Sequence, residues 1–231
     1  MVTNRRTALT LLFSAMARTL MPASLHAQPK PGHLDEVLRD MDAASTKFQS
    51  AEANFRWDLY DHLVKETTTQ TGTIYFKRQG AANVVGAKIE SPKIQILEIR
   101  NGVLRLYDPG TDHLTVVKNQ AQIDSFLTLG FGASGKDLAK AWTISDLGDE
   151  VLDGVKTAKL DLVPKDPAVH RNCIHMTIWI DPARGISLKQ SFYMPSDDYR
   201  TAVYSNIKYN QSVNETPYKI KTDSKTTTDE H

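Results

Sequence analysis

Three side chains that could hold a metal fall close together in the sequence: His170, Cys173 and His175. On an extended strand Cys173 and His175 would share a face, and a thiolate with imidazoles suits zinc or copper. A structural zinc site takes four ligands and a catalytic one three, and no second cluster in the chain completes the set. The spacing therefore points to a solvated strand edge rather than to a metal centre. Cys173 with a neighbouring histidine as nucleophile and base fares no better, because neighbours on one strand seldom converge on a substrate. Asp149, Glu150 and Asp153 cluster beside the Asp153-Gly154 turn, where carboxylates mostly cap turns or stay in water rather than act as a catalytic pair. Phosphate-cradling glycine motifs, zinc-finger spacings and nucleophile elbows are all missing from the sequence. The expectation is a protein without catalytic residues, cofactor or metal.

The chain that would position any function has 231 residues, 40% of them apolar and 24% charged, with a formal net charge of +1. Those values describe an ordinary globular domain able to bury a sizeable core. The near-cancellation of charge argues against nucleic-acid binding. The single cysteine, Cys173, excludes an intrachain disulfide. Residues 1–27 read as an export signal. Arg5 and Arg6 supply the positive start, Thr7 to Ala17 the short apolar stretch, and Leu25-His26-Ala27 the small-residue cleavage site. Removal of the three arginines in that segment takes the formal charge to −2.

After a linker at 28–33, apolar residues fall at Leu34, Val37, Leu38, Met41 and Phe48, the stripe of an amphipathic helix over about 34–49. The period then changes to two. Phe55, Trp57 and Leu59 alternate with Arg56, Asp58 and Tyr60, and Ile74 and Phe76 with Thr73 and Tyr75, which describes strands with one apolar face. Turn signals recur: Asn101-Gly102, Asp108-Pro109-Gly110, Asp153-Gly154 and Asp181 to Gly185. They separate Ile94–Arg100 from Val103–Tyr107, Glu150–Leu152 from Val155–Val163, and Ile174–Ile180 from Ile186–Tyr193. A last long strand follows at Tyr199–Tyr209, with a short one expected near Tyr218. The polar tail Lys221–His231 lacks apolar residues and is expected to be loose. Within Gln120–Ala141, glycines at 130, 132 and 135 interrupt apolar residues and predict short helices around a flexible stretch. About ten antiparallel strands and one long helix must close into a barrel or leave an inner face to be covered.

The order of these segments resembles the LolA family, periplasmic carriers of outer-membrane lipoproteins, and its lipoprotein-sorting relatives. Gly72-Thr73-Ile74-Tyr75-Phe76-Lys77-Arg78 is similar to the family's G-x-L-x-V/F-x-R-P strand. Asn101-Gly102-Val103-Leu104-Arg105-Leu106-Tyr107-Asp108-Pro109 is similar to its DG-x-x-L-W-x-Y-D/N hairpin, and Leu160-Asp161-Leu162-Val163-Pro164-Lys165 to its L-x-L-x-P-K strand. Ile178-Trp179-Ile180-Asp181 and Leu188-Lys189-Gln190-Ser191-Phe192 add to the likeness, which covers about 34–220. Gln79 stands where the family has proline, Arg105 where it has an aromatic, and Ala81–Val84 is small where aromatics line its cavity.

The resemblance implies a mainly β fold, an unclosed antiparallel half-barrel covered by an N-terminal helix and short lid helices, in one domain at 34–220. It implies a soluble, monomeric periplasmic carrier of an acylated lipoprotein or lipid cargo, with an inner-membrane donor and an outer-membrane acceptor. A sensor or free-lipid carrier on the same fold, or a secreted hydrolase on a β scaffold, are the alternatives. The apolar phase of the strands assigns Phe55, Trp57, Leu59, Ile74, Phe76, Leu97, Ile99, Leu104, Leu106, Met176, Ile178, Leu188 and Phe192 to the wall of a lipid cavity. Ile123, Phe126, Leu127 and Leu129 would form its lid. The resemblance makes Arg78 the lid latch, through hydrogen bonds to lid backbone.

Overall fold

The structure is a computed structural model that describes residues 31–80, 82–118 and 129–231. Helix α1 (His33–Lys47) comes first and six strands follow: β1 (Ser50–Asp61), β2 (Glu66–Gln79), β3 (Ala82–Ser91), β4 (Gln95–Arg100), β5 (Val103–Asp108) and β6 (His113–Val117). Helix α2 (Gly135–Ala141) leads into β7 (Trp142–Leu152) and β8 (Val155–Pro164), and the short α3 (Pro167–His170) into β9 (His175–Asp181), β10 (Ile186–Tyr193) and β11 (Tyr199–Tyr209). A 3-10 turn (Thr216–Tyr218) and β12 (Thr227–Glu230) end the chain.

All twelve strands form one sheet in the order β12-β6-β5-β4-β3-β2-β1-β11-β10-β9-β8-β7. Its edges, β7 and β12, do not meet, so the sheet is a half-barrel rather than a barrel. Turn chemistry sets the hairpins. Asn101 and Gly102 both take positive φ, 52° and 71°, as do Asp153 and Gly154, 48° and 77°. That is the two-residue turn whose twist matches the flanking strands. Gly72 serves a different end. Beside it the register between β2 and β3 shifts by a bulge, and a Cβ there would lie 2.0 Å from the Lys88 carbonyl oxygen, so the close backbone approach needs glycine.

Helix α1 covers only part of the concave face. Val37 and Met41 are buried, and with Leu138 of α2 they pack against Trp142, Leu160, Leu162 and Ile178 from β7–β9. Each such side chain contributes about 1.5–3 kcal/mol on leaving water. The N-terminal turn is pinned by His33, whose Nδ1 lies 2.7 Å from Asp146 and whose Nε2 lies 3.1 Å from Asp149. A second cluster joins Phe48, just past the helix, to Phe55, Ile74, Phe76, Val85, Leu188 and Tyr204. On the convex side Tyr218 packs with Tyr75 and Val84.

Two expectations for the C-terminal region differ from the fold. Tyr218 belongs to the 3-10 turn and not to a strand. The tail at 221–231 is not loose along its length. Its residues Thr227–Glu230 add β12, parallel to β6, held by backbone pairing and by the Lys118–Glu230 (2.6 Å) and His113–Asp229 (3.2 Å) ion pairs. An exposed edge strand needs backbone partners and not an apolar face, so periodicity carries no sign of it. The export signal at 1–27 and the expected lid residues Ile123, Phe126 and Leu127 lie outside the described residues.

Candidate functional site

The part of the concave face that α1 leaves uncovered, over β1–β5 and β9–β11, bounds a hollow of about 680 Å³. Its deep wall is aliphatic and aromatic: Ile74 and Phe76 on β2, Val85 on β3, Leu97 and Ile99 on β4, Leu104 on β5. The register explains the continuity. Val85 pairs with Ile99 and Ile99 with Leu104, so neighbouring strands present their apolar residues in the same phase.

Of the residues expected to form the wall, Trp57, Leu59, Ile74, Phe76, Leu97, Ile99, Leu104, Met176 and Phe192 line the hollow, as does Leu129 from the expected lid. Phe55, Leu106, Ile178 and Leu188 share the phase but stand off it. Phe55 stacks under Trp57 with ring centroids 4.1 Å apart. Ile178 is fully buried in the cluster beneath α1, and Leu188 is buried within the Phe48 cluster. Leu106 is half-buried on β5 beyond the wall that Leu104 contributes.

One end of the hollow is plugged by the segment 129–134. Phe131 bridges to Ile186 by backbone pairing and lays its ring on Phe76. Its neighbours are held by backbone bonds, Ser187 N–H to the Gly130 carbonyl (2.6 Å) and Gly132 N–H to the Gly185 carbonyl (3.2 Å). Gly132 takes φ +81° and packs against Phe48 so closely that a Cβ would lie 2.2 Å from the ring. Side chains complete the attachment: Gln190 Nε2 donates to the Leu129 carbonyl (2.6 Å), and Asn83 Nδ2 to the Phe131 carbonyl (3.2 Å). Arg78 Nη2 donates to the Gly132 carbonyl, and its guanidinium lies over the Phe48 ring. The residue expected as latch thus bonds backbone of the plug.

The opposite end is polar. Tyr60, Asp61 and Thr68 at the β1–β2 hairpin, and Asp198, Tyr199 and Arg200 at the start of β11, line the hollow there. The sequence assigns none of these to the site, because they sit at strand ends beside hairpins, where alternation does not mark a cavity wall. Both carboxylates are committed to turn backbone. Asp61 accepts from Leu63 and Val64 N–H groups, and Asp198 from His62 N–H and the Ser196 hydroxyl. The His62 and Ser196 donors hold the Asp198 carboxyl below its usual range. Deeper in, Tyr204 is buried, which pushes its hydroxyl pKa up to about 12, and it bonds Gln190 at 3.5 Å.

His175, Cys173, Glu150 and Asp149, weighed above for chemistry, have other partners. His175 lies 2.7 Å from Asp161 and stacks on Tyr193, and Cys173 is buried with its Sγ 3.6 Å from the His175 carbonyl. His170 ends α3. Glu150 accepts from the Trp179 indole at 2.8 Å, and Asp149 pairs with Lys156 at 2.8 Å. Among the described residues no group of His, Cys, Asp or Glu is arranged to hold a metal ion.

Comparison with solved structures places this architecture. MucB aligns over 81% of this chain at 12% identity with a TM-score of 0.52, and an uncharacterised conserved protein from Thermus thermophilus over 85% at 10% identity, also with a TM-score of 0.52. The fold these structures share with the chain is an unclosed β half-barrel. This chain covers 98% of the Thermus protein but 62% of MucB, less than two thirds of the latter's length. A domain assigned to outer membrane lipoprotein sorting from Vibrio parahaemolyticus aligns over 79% of this chain and 94% of its own, at 15% identity and a TM-score of 0.44. No family model and no curated protein sequence matches the chain. Among the described residues no helix is long and apolar enough to cross a membrane.

Proposed function

We propose that the chain is a periplasmic carrier that takes up acyl chains of a lipoprotein or lipid in the hollow of the half-barrel and delivers them toward the outer membrane, without catalysis. The observation that supports this is the hollow itself: about 680 Å³ bounded by apolar side chains from five neighbouring strands and left uncovered by α1. That volume lies within the roughly 300–1,000 Å³ of small-molecule sites. Each acyl CH₂ moved from water into such a wall contributes about 0.8 kcal/mol, so half-burying a sixteen-carbon chain yields roughly 6 kcal/mol before ordering costs. That is enough for weak, reversible capture, as a carrier needs. Export with cleavage near Ala27, and release assisted by Arg78, belong to the same reading.

The test is binding of a fluorescent acyl-chain probe by the purified mature protein. Ile99→Asp and Leu104→Asp place a charge in the wall and should weaken binding at least about tenfold. Asn54→Asp, on the exposed face of β1, should leave it unchanged. Equal effects of all three, or no binding by the wild type, would remove the carrier reading. Recovery of a bound protein partner instead of lipid from the periplasmic fraction would favour a sensor on the same fold.

A further inference from the structure

The cation in the mouth of the hollow, Arg200, has no carboxylate within ion-pair distance among the described residues. Among the described residues the Arg200 guanidinium makes neither an ion pair nor a hydrogen bond. Its contacts are two ring faces, Trp57 at 5.6 Å and Phe192 at 5.8 Å, and it lines the hollow beside Tyr199 and Asp198. Its register explains the placement: Arg200 pairs with Leu59 of β1 on one side and Phe192 of β10 on the other, both of which face the hollow. The two rings hold the guanidinium plane by cation–π contact and leave its five N–H donors without acceptors among the described residues.

We infer that the cargo is an anionic amphiphile, whose carboxylate or phosphate head binds Arg200 at the mouth while its acyl chain runs inward along Ile74, Phe76, Val85 and Ile99. The inference rests on the carrier reading and names the cargo's chemistry. Three observations meet in it. First, the hollow is polarised along its length, with its charged residues at the hairpin end and a mainly apolar wall deeper in, where Tyr204 and Gln190 bond each other, which matches a molecule with a head and a tail.

Second, Arg200 retains surface of its own, and that surface opens on the hollow. The surrounding protein already disfavours its charged form and lowers its pKa, yet an arginine stays charged at any physiological pH. A neutral lipid filling the hollow would take the guanidinium out of water and give it no acceptor, which opposes binding. An anionic head supplies two parallel acceptors to the planar fork, and such pairs are the strong hydrogen bonds.

Third, the two carboxylates at the mouth have other partners, Asp61 the backbone of its own turn and Asp198 the His62 N–H of that neighbouring turn and the Ser196 hydroxyl, and among the described residues neither is within ion-pair distance of Arg200. Among the described residues the remaining titratable groups of the lining are Tyr60 and Tyr199 at the mouth and Tyr204 deeper in. An uncharged acylated terminus, by this argument, is the poorer ligand.

The experiment compares cis-parinaric acid with its methyl ester, two probes with the same fluorescent chain that differ in charge, at about pH 8, where the carboxyl is ionised. The wild-type protein is expected to bind the acid about tenfold or more tightly than the ester. Arg200→Gln should abolish that difference by weakening the acid alone, and Arg200→Lys should keep part of it. Thermal melts of each variant establish folding, and ester binding by Arg200→Gln reports an intact hollow. Displacement by palmitic acid and by palmitoyl lysophosphatidic acid distinguishes the sources: tighter displacement by the former supports a free fatty acid, by the latter a phospholipid head. Equal binding of acid and ester by the wild type, or an equal loss of both in Arg200→Gln, overturns the anionic head and leaves the carrier reading standing. If the wild type binds neither probe, the carrier reading itself fails.

Discussion

The Phe131 ring lies flat on that of Phe76, with centroids 3.7 Å apart and planes 4° from parallel. Tyr204 meets Phe131 edge-on at 5.0 Å, so three aromatic rings from the plug, β2 and β11 close the inner end of the hollow together. The edge-on contact is an arrangement that aromatic pairs favour, while the close parallel stack buries one face of each ring. The contact matters because it joins a segment with no regular structure to the floor of the sheet.

Replacing Phe131 with alanine should therefore cost about 3 kcal/mol, the lower end for a buried aromatic because the new space merges with an existing hollow. Urea unfolding measures it. Acyl-probe binding should persist, since Ile74, Val85, Leu97 and Ile99 remain. A loss below about 0.5 kcal/mol would show that the stack does not hold the plug.

Arg78→Leu removes the bond to the Gly132 carbonyl and the contact over Phe48. Fold and probe loading should be preserved, with a stability loss of about 1 kcal/mol. Hydrogen exchange at the Gly132 amide should quicken several-fold, and transfer of the bound probe to acceptor vesicles should slow. Wild-type transfer by this variant would reduce Arg78 to a surface residue.

His33 makes the docking of α1 sensitive to pH. Burial opposes its charged form, but the hydrogen bonds to Asp146 and Asp149, with their charge, outweigh that and raise its pKa above 6.5. A raised folded-state value means that the stabilisation is fully present below about pH 6.5 and is lost as pH rises through the folded-state pKa. Melting temperatures of wild type and His33→Gln should differ by about 2–4 °C in mild acid and converge toward about pH 9. A difference that grows with pH would contradict this sign.

Burial pushes the Cys173 thiol up to about 12. Only the thiolate reacts, so labelling by a water-soluble thiol reagent near neutral pH should be about a thousandfold slower than for a free cysteine and should follow global unfolding in urea. Fast labelling of the folded protein would mean that the layer of α1 and α2 over β9 opens locally.

Much of the architecture follows from local rules. The alternation through Phe55, Trp57 and Leu59, and again through Ile74 and Phe76, has the period of a strand, while the spacing of Val37, Leu38 and Met41 has that of a helix. Asn101-Gly102 and Asp153-Gly154 dictate hairpins because few other pairs accept two positive φ angles. These signals are carried by neighbours in the chain, so a single sequence displays them.

Depth and closure are different, because they depend on which elements meet. Ile178 and Met176 share a strand face, yet α1 covers the first and the hollow meets the second. Alternation gives the face of a residue and not what stands above it. Phe131 sits between two glycines where no period exists, and its role arises only when the Gly130 and Gly132 backbones pair with Ser187 and Gly185, more than fifty residues on. Arg200 is the sharpest case. In sequence it is one polar residue at the start of an alternating strand, and the pairing of β11 between β1 and β10 in a curved sheet turns it inward between Trp57 and Phe192. The sequence by itself set the strands, the turns and the apolar face; sheet curvature and the partial cover of α1 decided that this face would enclose a space with a cation at its mouth, since both arise from contacts between segments far apart in the chain.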